Sequence, residues 1–217
     1  MLQPIKEIYL IRHGETDFNR QGVVQGSGID SDLNELGQKQ AQSFFEFYKH
    51  LNFDKIYTSK LKRTHQSVQG FIDKGFSWEQ HEGLNEISWG NKEGKESTDE
   101  DQKYYKNLVR DWRAGNVHIP SEEGESPIDV LERQKPVVDL MISRQAEENI
   151  LIAMHGRAMR VLLTHLFEKP LQQMDEYKHT NLCLYRIQYN YEVGKFKLLD
   201  ACNIDHLKHL TDTFSPV

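Results

Sequence analysis

Two stretches of this chain follow the same plan, and they constrain its fold more than any other feature. Residues 7–12, Glu-Ile-Tyr-Leu-Ile-Arg, form a short apolar, β-prone run that stops at His13-Gly14. Residues 149–154, Asn-Ile-Leu-Ile-Ala-Met, form another that stops at His155-Gly156, and helical spacing follows from Arg157 to Phe167. Runs with apolar residues at successive positions read as strands covered on both sides. Such strands alternating with helices belong to a mostly parallel sheet. In that kind of sheet, ligands collect beyond the carboxyl ends of the strands. The two histidines are therefore expected to face each other across one pocket.

The remaining elements agree with an α/β order. Asn34 is a good cap for a helix through about His50, with Leu36, Ala41, Phe44, Phe45 and Tyr48 on one face. Residues 53–58 read as a second strand. A helix follows from about Leu61 to Ile72, and a short strand near 77–81 leads into Leu84-Asn85-Glu86. Ser126-Pro127 is a strong helix start, and the helix should reach about Gln145. Pro136 lies inside it and is expected to kink or divide it. Two β-rich runs, 182–189 and 195–200, close the chain.

Residues 91–125 break the pattern, being rich in charge and poor in periodicity. They read as an insertion or cap, helical around Tyr104 to Trp112. A disordered acidic loop is the competing reading, against which Tyr104, Tyr105, Leu108, Val109 and Trp112 argue. With no internal repeat and no low-complexity linker, residues 1–217 are expected to form one domain. Its architecture would be three-layer α/β/α, a mostly parallel sheet with helices on both faces and a small cap insertion at about 91–125.

A net charge of −6 argues against nucleic acid or an anionic membrane as a whole-surface partner, while leaving room for a small basic pocket. Cys183 and Cys202 have no metal-like spacing and read as small, reduced residues. Met1 to Glu7 carry no signal-peptide pattern, and no apolar run approaches the ~20 residues that cross a bilayer, so a cytoplasmic location is expected. The other histidines match no metal-ligand spacing, so neither metal nor cofactor is expected.

The octapeptide Arg12-His13-Gly14-Glu15-Thr16-Asp17-Phe18-Asn19 carries specific chemistry. A neutral imidazole is a competent nucleophile toward phosphorus. Arg12 offers a planar fork of donors for phosphate oxygens, and Asn19 an amide. Nearby guanidinium charges would hold His13 neutral. A lone histidine after a strand is more often structural; it is the octapeptide as a whole that favours catalysis.

That octapeptide resembles the signature of the histidine phosphatase superfamily, the phosphoglycerate mutase-like proteins, which reads Arg-His-Gly-Glu-Thr-x-x-Asn. Further segments resemble the same family in the expected order over residues 8–207. They are Gln25-Gly26, Ser59-Lys60-Leu61-Lys62-Arg63, Leu84-Asn85-Glu86 with Glu93-Gly94, Gly124-Glu125-Ser126, His155-Gly156 with Arg160, and Asn203 with His206-Leu207. The resemblance implies His13 as nucleophile and Glu86 as proton donor. It implies Arg12, Asn19, Gln25, Gly26, Arg63, His155 and Gly156 as phosphate contacts, with Arg12, Arg63 and His155 also serving catalysis. Three of them have a structural competitor: Arg63 as a solvated helix residue, Glu86 as a surface-loop carboxylate, His155 as a core histidine. Met154 stands where the family often has a small hydroxyl residue, and Arg157 where many relatives have a small or polar one.

The implied reaction has two in-line steps, attack by His13 and then hydrolysis of the phosphohistidine. His155 would serve best protonated. Glu86, among Leu84, Ile87 and Trp89, is expected to have a raised pKa that suits proton donation. Glycolytic mutases of this family carry Glu-Arg-His-Tyr-Gly where this chain has Glu86-Ile87-Ser88-Trp89-Gly90, and a longer insertion with adjacent arginines; both differences favour a phosphatase. The closer resemblance is to fructose-2,6-bisphosphatase-like and α-ribazole phosphatase-like members. The expected substrate is a small phosphomonoester, a sugar or nucleoside phosphate. A mutase, a phosphoprotein phosphatase and a non-catalytic phosphate-binding module are the alternatives. Lys92, Lys95, Lys103, Lys106, Arg110 and Arg113 could meet a second anion or form a solvated face. The last β-rich runs could form an edge for a homodimer.

Overall fold

The computed structural model describes residues 4–211. Its centre is one six-stranded sheet of order β3-β2-β4-β1-β5-β6. The strands are β1 (Ile5–Arg12), β2 (Lys55–Thr58), β3 (Trp78–Gln80), β4 (Asn149–Met154), β5 (Leu184–Asn190) and β6 (Lys195–Asn203). β1, β2, β3 and β4 run parallel to one another, and β5 and β6 add an antiparallel margin beside β1. The sheet is therefore mixed, four parallel strands with two antiparallel ones at one margin.

The apolar runs explain both layers. Ile8 and Leu10 of β1 face one core with Ile150 and Ile152 of β4; Tyr9 and Ile11 face the other with Leu151 and Ala153. Alternate side chains of a strand point to opposite faces, so a run that is apolar at every position must be covered twice. After the short helix α1 (Asp17–Gln21), helix α2 (Glu35–Tyr48) covers one face through Phe44, beside Phe71 of α4 (Gln69–Asp73). Helices α5 (Asp99–Arg113), α6 (Pro127–Ser143) and α7 (Gly156–Leu166) cover the other. Leu10 and Ile11 are fully buried, each contributing about 1.5–3 kcal/mol by leaving water.

Two helices differ from expectation. The helix from Leu61 to Ile72 is two pieces, α3 (Lys62–Ser67) and α4, broken at Val68, whose ψ of 11° leaves the helical well. Pro136, in contrast, does not divide α6. It lies on the exposed face, so the carbonyl of Glu132, deprived of its N–H partner, can turn to water. Residues 91–125 hold α5, longer than expected and started by a Thr98–Asp101 capping box. Leu108, Val109 and Trp112 anchor it in the core that α6 and α7 share. Among the described residues no helix is long and apolar enough to cross a membrane.

Candidate active site

β1 and β4 are hydrogen-bonded neighbours, with Arg12 opposite Met154. Register therefore carries their next residues, His13 and His155, to the same end of the sheet, and the His13 N–H donates to the Met154 carbonyl at 2.9 Å. The two rings lie 5.1 Å apart, tilted by 56°, and both are buried.

The His13 ring is locked by its neighbour. Its Nδ1 donates to the Gly14 carbonyl at 2.7 Å, which leaves the lone pair on Nε2. Burial holds His13 well below the ordinary histidine pKa, and the charges of Arg63 and then Arg12 add to that. Desolvation thus outweighs the guanidinium charges that sequence reasoning had put first.

Arg12 is the freest cation here. Its Nη1 donates to His179 Nδ1 at 3.2 Å, and its buried Nε has no hydrogen-bond partner. No carboxylate pairs with it among the described residues. Burial lowers its pKa, with Glu86 the largest opposing influence. A desolvated guanidinium with unused donors is a ready receptor for phosphate oxygens.

Arg63, fully buried at the start of α3, is more committed. Nε donates to His155 Nδ1 at 3.1 Å, Nη1 to the Ile29 carbonyl at 2.6 Å and Nη2 to the Gly26 carbonyl at 3.0 Å. Burial brings its pKa down to about 10. Because His155 Nδ1 accepts from Arg63, its proton must sit on Nε2, which donates to Ser59 Oγ at 2.8 Å. Burial and the Arg63 charge hold His155 well below the ordinary value. The expectation of a protonated His155 is therefore corrected: the ring is neutral, because an accepting nitrogen and a neighbouring guanidinium both oppose a second proton.

Glu86 also meets surroundings other than those expected. Leu84 and Ile87 are buried in the core, but the carboxylate itself rests on backbone donors. Oε1 accepts from Ile87 N at 2.9 Å and Ala158 N at 2.8 Å, and Oε2 from Arg157 N at 3.1 Å. His155, the N-cap of α7, makes no side-chain cap bond, so Glu86 satisfies two of the donors at that helix start. Arg133 holds the Glu86 segment by donating to the carbonyls of Gly83, Asn85 and Glu86 while paired with Glu125.

The other expected contacts divide. Asn19 Oδ1 accepts from Thr16 N and from Asn181 Nδ2, which leaves its amide N–H donors for a ligand. Gln25 instead braces two loops: Nε2 donates to Thr16 Oγ1 and Oε1 accepts from Ser31, each at 2.7 Å. Gly26 is required by packing, since a Cβ there would lie 2.4 Å from the Ile87 carbonyl oxygen, a backbone atom that cannot move aside. Gly156 makes room for His179, whose Cε1 would lie 2.7 Å from an added Cβ.

Several site residues went unnoticed in the sequence. His179 is the chief one, its pKa lowered to about 3 by burial and then by the charges of Arg12, Arg160 and Arg157. Asn181 donates to the His13 carbonyl at 3.1 Å, and Ser67 Oγ accepts the Gly14 N–H at 2.9 Å. Nothing local marks them, since each acts through residues far away in the chain. Arg157 is buried rather than solvated. It donates to Asp175 Oδ1 at 2.6 Å and Tyr105 Oη at 2.8 Å, with its guanidinium 5.5 Å over Trp112. Arg160 and Arg113 also bond Asp175. Of the basic residues considered for a second anion, Lys92 pairs with Asp101 and Glu122, and Arg110 with Asp111. Lys95, Lys103 and Lys106 are exposed.

The model of the histidine phosphatase superfamily (branch 1) matches residues 8–201. The 6-phosphofructo-2-kinase/fructose-2,6-bisphosphatase of Gallus gallus is 30% identical over 205 residues, covering 91% of this chain and 41% of the relative. The chain thus spans about two fifths of the length of such relatives. Among solved structures, YhfR of Bacillus stearothermophilus aligns with a TM-score of 0.81 and 26% identity, over 94% of this chain and 100% of the other. The α-ribazole phosphatase of Shigella flexneri aligns with a TM-score of 0.80 and 25% identity, over 91% and 96%.

Proposed function

The chain belongs to the histidine phosphatase superfamily, branch 1, and from that premise we propose that it is a metal-independent phosphatase, hydrolysing a small phosphomonoester through a phosphohistidine on His13. The observation that carries this reading is the tautomer of His13. With Nδ1–H held by the Gly14 carbonyl, Nε2 is the one ring atom able to attack phosphorus.

In the first step the Nε2–P bond forms and the P–O bond to the leaving group breaks. Glu86 in its acid form gives its proton to the departing oxygen. Arg12 and the Asn19 amide take the equatorial oxygens, and Arg63 adds fixed positive charge from behind. His155 enters as a neutral ring that accepts from Arg63 Nε and so fixes the position of that guanidinium. In the second step the Glu86 carboxylate takes a proton from water, the water oxygen bonds to phosphorus, and the Nε2–P bond breaks.

Ile87 and Ser88 support hydrolysis over mutase chemistry. Ile87 is core and the Ser88 N–H is bonded to Glu125, so neither position offers a cation to a second anionic group. The names of the relatives, a fructose-2,6-bisphosphatase and an α-ribazole phosphatase, support a small sugar or nucleoside phosphate.

The test uses p-nitrophenyl phosphate with the wild-type chain and His13→Ala. Turnover that persists in EDTA and disappears in the variant is expected, together with acid-labile phosphate on the wild-type protein after rapid quenching. Equal turnover in both chains would rule out His13 as the nucleophile. Turnover in neither would favour a phosphate-binding module.

A further inference from the structure

Cys183 and Cys202 are both free thiols, the first buried and the second partly exposed. Cys183 precedes β5, and Cys202 lies near the end of β6. Across these two strands Leu184 faces Asn203 and Arg186 faces Asp200. Ala201 and Cys202 therefore share the place opposite Tyr185, which makes a bulge. Cys202 has a left-handed φ of 50° there, uncommon for a residue with a Cβ and kept only where the surroundings enforce it. A bulge re-aims a side chain, and this one leaves the two sulfurs in hydrogen-bonding contact. The Thr180 N–H is directed at both sulfurs, and Lys178 adds positive charge near Cys202. Cys183 first, then Thr180 and Lys178, lower the Cys202 pKa against the effect of burial. Cys183 is raised, first by Cys202 and then by burial, so the pair keeps its remaining proton there.

We infer that Cys202 and Cys183 form an oxidation site for a peroxide, closing to a disulfide that weakens phosphate binding at Arg12. Cys202 is the partly exposed sulfur, and so the one a peroxide reaches. Its thiolate attacks one peroxide oxygen: the S–O bond forms, the O–O bond breaks, and hydroxide leaves to take up the proton that Cys202 had lost. The sulfur is oxidised by two electrons and the peroxide is reduced by two. The Cys183 sulfur then attacks the sulfenic sulfur. The S–S bond forms, the S–O bond breaks, and the Cys183 proton leaves with that oxygen as water.

The pair is tied to the phosphate site in two ways. The Cys183 carbonyl accepts the Arg12 N–H at 3.3 Å. Thr180 stands between His179, which accepts from Arg12 Nη1, and Asn181, which donates to the His13 carbonyl and to Asn19 Oδ1. A disulfide draws the sulfurs from hydrogen-bonding contact to about 2.0 Å and removes the thiolate that faces the Thr180 N–H. Cys183 and Thr180 must shift to follow, which loosens the hold of His179 on Arg12. The oxidation stands apart from the phosphatase reading above, and its effect on Arg12 rests on that reading's phosphate site.

The test treats the wild-type chain, Cys202→Ser and Cys183→Ser with hydrogen peroxide. Mass spectrometry of the wild-type chain should show the loss of two hydrogen atoms, with the Cys183 and Cys202 peptides joined and released again by dithiothreitol. In Cys183→Ser, oxidation should stop at a sulfenic acid on Cys202, which dimedone traps; Cys202→Ser should give neither product. Calorimetric titration with inorganic phosphate reads the site without turnover. Affinity is expected to fall about tenfold on oxidation of the wild-type chain, to return on reduction, and to be unaffected by peroxide in Cys202→Ser. A wild-type chain that keeps both thiols under peroxide, or a dimedone adduct on Cys183 in Cys202→Ser, overturns the oxidation site. A disulfide that leaves phosphate affinity within about twofold of the reduced chain overturns the link to Arg12. Hydrolysis of p-nitrophenyl phosphate is not among these readouts, so its failure counts against the phosphatase reading alone.

Discussion

His179 Nδ1 accepts a hydrogen bond from Arg12 Nη1 at 3.2 Å, and the same ring occupies the space a side chain at position 156 would need. Arg12 is thus oriented by a neutral partner that leaves its charge uncancelled. A carboxylate at position 179 would hold Arg12 as firmly but compete with phosphate for it.

Removing that partner should loosen Arg12 without unfolding the chain. His179→Ala is expected to lower kcat/KM for p-nitrophenyl phosphate about tenfold, the loss of one hydrogen bond to a charged group, chiefly through KM. His179→Asn, whose side-chain oxygen can accept, should recover part of it. Steady-state kinetics within twofold of wild type for both variants would mean that His179 only fills the space over Gly156.

Glu86→Gln should reveal the proton donor through its dependence on the leaving group. The amide cannot give a proton in the first step, so kcat for an alkyl phosphate is expected to fall by about 10²–10⁴. Hydrolysis of p-nitrophenyl phosphate, whose leaving group departs as a stable anion, should be slowed less in that step. The same loss for both esters would remove Glu86 from proton donation and leave it as the cap of α7.

The buried histidines make stability depend on pH in a defined window. Burial, as the largest cause, holds His13 and His155 well below 6.5, His179 at about 3 and His206 at about 4. In the unfolded chain they would titrate near 6.5. Their contribution is complete above pH 6.5, falls as the unfolded state takes up protons the folded state refuses, and is fully lost only below the folded values. The slope is about 1.4 kcal/mol per pH unit for each histidine. Carboxylates titrate lower, so thermal unfolding at about pH 7 and about pH 5 isolates the effect. A midpoint that does not fall at the lower pH would show that these rings are not held neutral.

Asp175→Asn should weaken the seat of α5. Asp175 receives Arg113, Arg157 and Arg160, and of the three Arg157 is buried. The substitution leaves a buried guanidinium without its counter-charge, a loss of about 3 kcal/mol once the solvent screening of Arg113 is allowed for. Urea unfolding measures it. A loss below about 0.5 kcal/mol, the level of an exposed pair, would mean that Arg157 finds another partner.

The strands were legible because their apolar runs leave no other choice. Residues 149–154 fall on β4 without error, and the His-Gly ends of β1 and β4 are neighbours in the sheet. Asn34 and Ser126 cap helices as their side chains predict. The break at Val68 was not legible, since it depends on what Arg63, Ser67 and Phe71 must each reach from one short segment. Nor was the role of Gln25, whose two ends are claimed by Thr16 and Ser31 only once the loop closes.

By itself the sequence determined which side chains are available for chemistry and which strand ends carry them, because local pattern sets strand, cap and motif. Only the tertiary structure decided their states. The tautomer of His155 follows from Arg63, 92 residues away in the chain. The environment of Glu86 follows from the start of α7, and the orientation of Arg12 from His179. Protonation and orientation depend on burial and on the donor at each nitrogen or oxygen. Those partners are brought together by packing between distant segments, which no local pattern encodes.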